Sequence, residues 1–406
     1  MTKVFIIGQG YVGLTIAAFA SKHFKVVGFD NNLKIVAQLN SGISHIEGVD
    51  SALIASTVKS GNYLATSNPD DIAGSDVVVI AVPTPLTKDR KPDLTFIESA
   101  CKTIAENLIG SALIINESTS FPGTIRDFIK PLIEKLSPVK LEHLYATSPE
   151  RVDPGRTDWD QKNTPRLFAG LTPEASKRTR DFYSTFCDNL VEVTSPEVAE
   201  AAKLLENTFR LVNIALINEF TQLCSATGIN VHEVIDAASS KPYGFMPFRP
   251  GVGVGGHCIP VDPLYLTWWA RQNGEKAEFV ESADSINHAM PKYVAERALG
   301  MVDSSIRNPK VLLLGVAYKP GVGDVRETPV SELRDHLLAQ GAEVAWHDPL
   351  VVTWEGSKPV DLGWDCDVAI LATKQPGMDV EKLISKGVQI LDCTNSIKNL
   401  TGVTSL

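Results

Sequence analysis

The 406-residue sequence lacks the features that mark several large classes of protein. Its six cysteines are scattered without a Cys-x-x-Cys pair, which argues against a disulfide scaffold and favours a reducing compartment, the cytoplasm. No apolar run is long enough to cross a bilayer, and no signal peptide precedes the first apolar segment, at residues 4–7. A formal net charge of −10 argues against nucleic acid, because phosphate binding needs basic surfaces. We therefore expect neither a membrane nor a nucleic acid as partner.

A glycine-rich turn follows that first apolar segment, which is typical of a buried parallel strand. The turn is Gly8-Gln9-Gly10-Tyr11-Val12-Gly13, and it precedes a helical pattern and a second strand that ends at Asp30. In this context Gly8 permits a tight turn, Gly10 lets a pyrophosphate approach the backbone, and Gly13 packs helix on strand. Tyr11 and Val12 would lie in the first helical turn, whose free N–H groups bind phosphate. The turn predicts a dinucleotide site.

Asp30 predicts which dinucleotide binds. Its carboxylate would accept hydrogen bonds from the adenosine ribose, and no arginine follows it closely, which favours NAD over NADP. Lys34 either touches the cofactor or is a solvated lysine. The expected cofactor is NAD, and no metal is expected.

Three more buried strands are predicted at residues 76–82, 112–116 and 144–147. Thr84, Thr119 and Glu150 follow the three strands in turn. Ligands of open parallel sheets bind outside the carboxyl ends of the strands, so these side chains are candidates to line the cofactor crevice. Each could equally be a helix cap or a turn residue.

One long helix is predicted in the middle of the chain, from the Ser195 cap and Pro196 to a stop at Gly228. Apolar residues occur on nearly all of its sides, which predicts burial on most faces. We expect this helix to join two domains and to provide a dimer surface. Lys203 and Asn207 lie one turn apart on it and could together stabilise an oxyanion; the alternative is a buried lysine paired with Glu200.

The C-terminal third repeats the strand pattern of the N-terminal third. Apolar strands are predicted at residues 311–317, 342–348, 367–373 and 388–394, and the first runs into a turn that lacks the second glycine of the fingerprint. This predicts a second doubly wound unit for another nucleotide. Lys319 and Arg326 could meet phosphates or the crevice between domains, or could be solvated.

Residues 250–263 combine four glycines with Cys258 and Asp262. Such a density of glycine suggests a backbone that passes close to a ligand, although a turn with an incidental cysteine is the alternative. A thiolate is useful when an aldehyde must be oxidised to an acid through a thioester. Asp262 could then be a general base or a partner of Lys203.

The predicted fold class is α/β, with two doubly wound Rossmann-like domains joined by a long central helix and a helical middle region. The predicted boundaries are 1–194 for an NAD-binding domain, 195–300 for a central dimerisation region with the cysteine loop, and 301–406 for a second nucleotide domain.

The whole chain resembles the nucleotide-sugar 6-dehydrogenases, the UDP-glucose/GDP-mannose dehydrogenase family. The resemblance is carried by GQGYVG (8–13), VPTPL (82–86), ESTSFPGT (117–124), SPERVDPG (148–155), KLLENTFR (203–210), GVGGHCIPVDP (253–263) and GVAYKPGVGDVRETP (315–329).

The resemblance implies a homodimer that oxidises C6 of a UDP-sugar twice with NAD. It implies that Cys258 is the nucleophile, that Lys203 and Asn207 stabilise the oxyanion, and that Asp262 acts with Lys203 and a water. It also implies that Thr119 and Glu150 position water. The remaining implied contacts are Arg326, Lys34, Thr84 and Thr119 with the cofactor, and Glu150, Arg151, Lys203, Asn207, Tyr243, Gly251 and Lys319 with the nucleotide sugar.

The segments HIEGVDS (45–51) and KPYGFMPF (241–248) resemble those of the branch that acts on UDP-N-acetylhexosamines. UDP-GlcNAc is the expected substrate, for surface polysaccharide precursors; UDP-GalNAc, UDP-ManNAc and UDP-glucose are the alternatives. Two further hypotheses are a two-electron alcohol dehydrogenase and a non-catalytic protein that responds to NAD. Val252 departs from the expected PGPGxGGHC pattern and would change loop stiffness, and Arg249 could bind phosphate or a partner subunit, or be exposed.

Overall fold

The computed structural model describes residues 1–46, 48–152, 158–397 and 400–406. The chain forms two compact units, one of Met1–Glu206 with Leu264–Asn273 and the other of Asn207–Pro263 with Gly274–Leu406. Glu47 and residues 153–155, which belong to two of the stretches that carry the resemblance, lie outside the described residues. No helix in the described part of the chain is both long and apolar enough to cross a membrane.

The first unit is built on an eight-stranded sheet in the order β3-β2-β1-β4-β5-β6-β7-β8. Strands β1 to β6 are parallel in the doubly wound order, β7 runs antiparallel to β6, and β8 runs parallel to β7. The strands are β1 Lys3–Ile7, β2 Lys25–Phe29, β3 Tyr63–Thr66, β4 Val77–Ile80, β5 Leu113–Asn116, β6 Leu144–Thr147, β7 Arg166–Gly170 and β8 Leu190–Glu192.

Both faces of this sheet are covered. In β1, Val4 and Ile6 belong to one apolar cluster while Phe5 and Ile7 belong to another, because successive side chains point to opposite faces. A strand buried on both sides needs a continuous apolar run, which is what β1 has. The helices are α1 Tyr11–Ala20, α2 Leu33–Asn40, α3 Ser51–Lys59, α4 Thr95–Asn107, α5 Lys130–Leu136 and α6 Pro173–Tyr183, with a 3-10 turn at Pro69–Ile72 and a π-helical turn at Thr124–Ile129.

The second unit contains a five-stranded parallel sheet in the order β10-β9-β11-β12-β13. Its first strand, β9, alternates between two apolar clusters in the same way as β1. The strands are β9 Lys310–Leu314, β10 Glu343–His347, β11 Val368–Leu371, β12 Gln389–Asp392 and β13 Val403–Ser405, and the helices are α8 Val231–Ser239, α10 Glu278–Leu299, α11 Pro329–Ala339 and α12 Glu381–Ile384. Two further helices, α7 Pro196–Thr227 and α9 Asp262–Gln272, have residues in both units.

The predicted α/β class with two Rossmann-like sheets and a helical middle region is confirmed. Helix α7 has the predicted bounds, and one apolar stripe along it is exposed within the chain. Leu205, Leu216 and Leu223 are 65%, 57% and 60% exposed, and Phe209 is 46% exposed. An apolar pattern indicates that a surface tends to be covered, and it does not say by what. The division at residues 194 and 300 stays a prediction.

Candidate active site

The glycine turn after β1 has the geometry that its sequence predicts. Gly8 has φ +92°, and a Cβ there would lie 2.4 Å from the carbonyl oxygen of Ala81. A Cβ at Gly13 would lie 1.9 Å from the carbonyl oxygen of Gly8, so helix α1 can pack on the turn only if this residue is glycine. At Gly10 a Cβ would have no neighbour within 4 Å, which leaves the backbone open to a ligand.

Gln9 supports this turn, although the sequence analysis gave it no role. Its buried side chain donates to the carbonyl oxygens of Ile6 (3.1 Å) and Gly8 (3.0 Å), and it accepts from the Tyr63 hydroxyl (2.8 Å). A Cβ at Gly28 would lie 2.4 Å from Oε1 of Gln9, so the second strand leaves room for the amide. Gly28 and Tyr63 are 19 and 54 residues from Gln9 along the chain, so no local pattern predicts these two contacts.

Asp30 lies just beyond β2 with its carboxylate held in place. Oδ2 accepts from the backbone N–H of Gln9 (3.0 Å) and Oδ1 from that of Asn32 (2.9 Å). A carboxylate has about four lone-pair sites, so both oxygens can still accept from ribose hydroxyls. Together with the open backbone at Gly10 and the N-terminus of α1, this arrangement fits NAD.

The other residues predicted near the cofactor are placed less specifically. Tyr11 and Val12 are in the first turn of α1, as predicted, and Thr84 is half-buried in the loop after β4. The side chain of Lys34 is exposed, and its backbone N–H donates to the Asn32 cap of α2.

Glu150 and Arg151 follow β6 and already have protein partners. Oε1 of Glu150 accepts from the backbone N–H groups of Arg151 (2.6 Å) and Val152 (2.8 Å), and Oε2 accepts from Arg166 (2.6 Å). Arg151 donates to both carboxylate oxygens of Glu206 and to the carbonyl oxygen of Pro165. Thr119 is half-buried in the loop after β5.

Helix α7 reaches that loop through Glu200, not through Lys203. The buried Glu200 carboxylate accepts from the backbone N–H groups of Gly123 (2.7 Å) and Ile125 (3.3 Å), and burial raises its pKa to about 8. Lys203 is half-buried and makes no ion pair within the described residues. Its predicted alternative, a pair with Glu200, is therefore not formed.

The loop that carries Cys258 belongs to the second unit, and the thiol is exposed. Three of its four glycines pack against the protein itself. A Cβ at Gly255 would lie 2.8 Å from both the carbonyl oxygen of Glu327 and Cβ of Tyr318, and a Cβ at Gly256 would lie 2.8 Å from the Tyr318 ring. Gly253 has φ +145°, and a Cβ there would lie 3.1 Å from Pro329. The glycines thus fit the loop closely against the segment 318–329, in addition to any role towards a ligand.

Two asparagines of α7 hold the ends of this loop. Asn207 donates to Oδ2 of Asp262 (2.5 Å), and Oδ1 of Asn218 accepts from the backbone N–H of Gly251 (3.1 Å). Eleven residues separate Asn207 from Asn218, about three helical turns, so both lie on one face of α7. The Asn218 amide also donates to Asn287 (2.9 Å) on α10. Cys258 lies between two anchored points.

Arg326 faces the cysteine loop. Its guanidinium donates to both oxygens of Asp324, which raises the pKa of Arg326; Cys258 adds to that effect because the thiolate and the guanidinium attract each other. Arg326 also lowers the pKa of His257, after the larger effect of desolvation. The described geometry therefore relates Arg326 to the thiol, whereas its predicted contact with the cofactor stays a prediction.

The remaining predicted substrate residues lie on surfaces of the second unit. Lys319 is half-buried with its ammonium 5.6 Å from the centre of the Tyr318 ring, and Gly251 is half-buried. Tyr243 is 73% exposed, with Lys241 over its ring. Arg249, whose role the sequence left open, pairs with Asp236 on α8 and donates to the carbonyl oxygen of His232 (3.4 Å).

The anchored loop gives a stability prediction for Asn218. Asn218→Ala leaves the half-buried N–H of Gly251 and the buried Oδ1 of Asn287 without these partners, so we expect it to lower the free energy of unfolding by about 1–3 kcal/mol. Urea unfolding would measure the change. The control is Asn213→Ala, because among the described residues that amide donates to the carbonyl oxygen of Phe209 on α7 itself. Equal stabilities of the two variants would show that Asn218 does not hold the loop.

Three family models match successive parts of the chain. They are the NAD binding domain (residues 2–187), the central domain (197–289) and the UDP binding domain (312–399) of the UDP-glucose/GDP-mannose dehydrogenase family. Together these matches cover most of the chain, including the glycine turn and the cysteine loop.

Similar proteins match over nearly the full length. The UDP-N-acetyl-D-mannosamine dehydrogenase of Pyrococcus horikoshii is 35% identical over 382 residues, which is 92% of this chain and 90% of the relative. The UDP-N-acetyl-D-glucosamine 6-dehydrogenase of Pseudomonas aeruginosa is 36% identical over 356 residues, 86% of this chain and 83% of the relative.

A solved structure shares the fold. The structure of the UDP-D-ManNAc dehydrogenase from Pyrococcus horikoshii has a TM-score of 0.89 at 32% identity and covers 100% of this chain and 98% of that chain. The domain matches, the full-length relatives and the shared fold agree on one assignment. The chain is an NAD-dependent oxidoreductase that belongs to the UDP-glucose/GDP-mannose dehydrogenase family.

Proposed function

We propose that the protein oxidises C6 of a UDP-N-acetylhexosamine to the carboxylic acid, in two successive oxidations, for a surface polysaccharide precursor. The observation that carries the proposal is the exposed Cys258 thiol on a loop that is anchored at both ends. An alcohol oxidation that stops at the aldehyde needs a base but no thiol, whereas oxidation to an acid can use a thioester.

The glycine turn would hold NAD, which would supply the hydride acceptor for each oxidation. The chain's own contribution to the second half of the reaction is the thiolate of Cys258, which adds to the aldehyde carbon. Water later hydrolyses the thioester, which releases the acid and returns the thiol. The guanidinium of Arg326 and the Cys258 thiolate attract each other, so Arg326 is proposed to support the nucleophile.

Asn207 and Lys203 are proposed to stabilise the oxyanion at C6. One N–H of the Asn207 amide donates to Asp262, which holds the amide plane and leaves the second N–H to donate elsewhere. The Lys203 ammonium makes no ion pair among the described residues, so it is available to a negatively charged atom. Asp262 is 2% exposed and is proposed to act with Lys203 and a water.

Thr119 and Glu150 are proposed to position water in the first unit. The two carboxylate oxygens of Glu150 accept three hydrogen bonds and can accept a fourth. Arg151 has its Nε and two Nη atoms engaged, so a substrate contact would use its remaining N–H groups. Lys319, Gly251 and Tyr243 are proposed to contact the nucleotide sugar, and Lys34, Thr84 and Arg326 the cofactor.

Two epimers at C2 are candidates for the sugar. The segments 45–51 and 241–248 favour UDP-GlcNAc, and the Pseudomonas aeruginosa relative named for UDP-GlcNAc supports it. UDP-ManNAc is the second candidate, because relatives from Pyrococcus horikoshii and Escherichia coli carry the name of that substrate. A single hydrogen bond to the sugar can separate epimers.

The three-part division at residues 194 and 300 remains our proposal for the domains, and the segments matched by the three family models support it. The proposed compartment is the reducing cytoplasm, which is supported by the lack of a disulfide bond among the six cysteines.

We also propose a homodimer formed through α7. Leu205, Phe209, Leu216, Phe220 and Leu223 are all at least 38% exposed and recur at spacings of three, four and seven residues. Such a stripe suits an identical helix, because a twofold interface presents the same surface on both subunits.

UDP-GlcNAc, UDP-ManNAc, UDP-GalNAc and UDP-glucose should be compared by NADH absorbance, with the product assayed separately. We expect two NADH per sugar with an acid product for one N-acetylhexosamine, and a much lower kcat/KM for UDP-glucose. One NADH with an aldehyde product would select a two-electron dehydrogenase. Binding of NAD and UDP without turnover of any of the four would contradict the proposed enzyme.

Leu216→Glu tests the dimer. A buried charge opposite its own copy should convert the dimer to a monomer in sedimentation velocity. Leu338→Glu is the control, because Leu338 is 41% exposed on α11, away from the stripe. A Leu216→Glu protein that keeps the dimer mass would exclude α7 as the interface.

A further inference from the structure

Arg166 is a buried arginine that neither the sequence motifs nor the proposed chemistry includes. It is the first residue of β7 and is 5% exposed. Strand β7 runs antiparallel to β6, with Ala146 opposite Gly170 and Thr147 opposite Ala169. Continued past the end of β6, the same register brings Arg166 opposite Glu150. The topology of the sheet thus directs this side chain to the point where β6 ends.

The guanidinium of Arg166 joins the ends of two strands. Nη2 donates to Oε2 of Glu150 (2.6 Å), and Nη1 donates to Ser148 (3.1 Å) beyond β6. Nη1 also donates to both oxygens of Glu117 (2.6 and 2.8 Å), which follows β5. Ligands of parallel sheets bind at these carboxyl ends, where Thr119 also lies.

Arg166 is itself fixed by Tyr183 of α6. The Tyr183 hydroxyl donates to Oε1 of Glu117, and the guanidinium lies over the Tyr183 ring, 4.6 Å from its centre. The two glutamates, Arg166 and Tyr183 are all at most 8% exposed. A buried side chain held by this many charged hydrogen bonds has little freedom to turn.

The two carboxylates have opposite pKa shifts. Burial raises the pKa of Glu117 to about 7, although Arg166 acts against it. Burial alone would also raise the pKa of Glu150, but Arg166 and the N–H groups of Val152 and Arg151 reverse the effect and lower it. Glu150 is therefore the carboxylate that stays ionised, and Glu117 is the one that takes up a proton.

We propose that Arg166 is a positioning residue that holds the Glu150 carboxylate in one orientation, so that its remaining lone pair directs water to the reacting carbon. Glu117 and Tyr183 hold Arg166. The inference rests on the proposed function, in which Glu150 positions water. Among the described residues, the Arg151–Glu206 pair lies beside Glu150, and the Cys187 thiol acts on Arg166.

The test is the pH profile of kcat for acid formation in two variants of the cluster that should behave differently. Arg166→Gln removes the positive charge, so the pKa of Glu150 should rise and the acid limb of the profile should move up by about one pH unit or more. Acid formation at neutral pH should fall by roughly 10-fold or more while KM changes little. Glu117 is already neutral near that limb because its pKa is raised to about 7, so Glu117→Gln should leave the limb in place.

Arg180→Gln is the matched control, because Arg180 pairs with Glu192 at the surface of the same unit. Its acid limb should match that of the native enzyme. If Arg166→Gln does not fold, Arg166→Lys and Glu117→Gln still test the role of Arg166. We expect the lysine to pair with only one of the two carboxylates, so the acid limb of Arg166→Lys should move up.

An unshifted acid limb in the folded Arg166 variants would overturn the inference, as would a uniform loss of activity at every pH. Loss of packing alone does not explain a limb that moves in the Arg166 variants and stays in place in Glu117→Gln. If the native enzyme makes acid with two NADH and the limbs do not move, only the role of Arg166 fails. If the native enzyme makes no acid, the proposed function fails instead.

Discussion

The two hydrogen bonds from α7 to the ends of the cysteine loop are the constraint on which the second unit's site depends. Asn207 holds Asp262 and Asn218 holds Gly251, so the segment between them has fixed ends. Within it, Gly255 and Gly256 pack so closely against Tyr318 that a side chain would collide, and Gly253 has a φ of +145°, which side chains rarely adopt. A glycine-rich loop is usually mobile, and this one is restrained by anchors and by contact along its length. An exposed thiol can in this way be held in a defined position.

In the first unit, buried charged side chains hold the candidate site in place. Glu117 and Glu150 are both removed from water, and Arg166 lies between them at hydrogen-bond distance. Buried charges of this kind are costly unless each is paired and fully hydrogen-bonded, so they favour one arrangement over others more than they add stability. The glycine turn is held in one conformation without a buried charge, by the hydrogen bonds of the buried Gln9 amide. Both arrangements leave the functional groups preorganised before any ligand binds.

Local patterns predicted the elements well. Ser195, Pro196 and Gly228 were enough to place both ends of α7, and short apolar runs located β1, β4, β5 and β9. The glycine turn and Asp30 were predicted because their spacing lies within one strand-turn-helix unit.

Features that depend on distant partners were not predictable from one sequence. Arg166 meets Glu117 49 residues away, and the loop glycines meet Tyr318 more than 60 residues away. Nothing near Arg166 in the sequence distinguishes a buried arginine from a surface one. The apolar pattern of α7 likewise carries no information about which of its sides the same chain covers and which side is left exposed.

The most direct test of the account is whether Cys258 carries the sugar during turnover. Native enzyme would be mixed with excess NAD and the preferred UDP-sugar, quenched in acid and digested. Mass spectrometry would then give the mass of the peptide that contains Cys258. The account predicts a thioester adduct of the uronyl group on Cys258, which disappears on hydroxylamine treatment and is absent from Cys258→Ser, a variant that makes no acid. Acid formation by Cys258→Ser at the native rate, with no adduct on the native peptide, would contradict it.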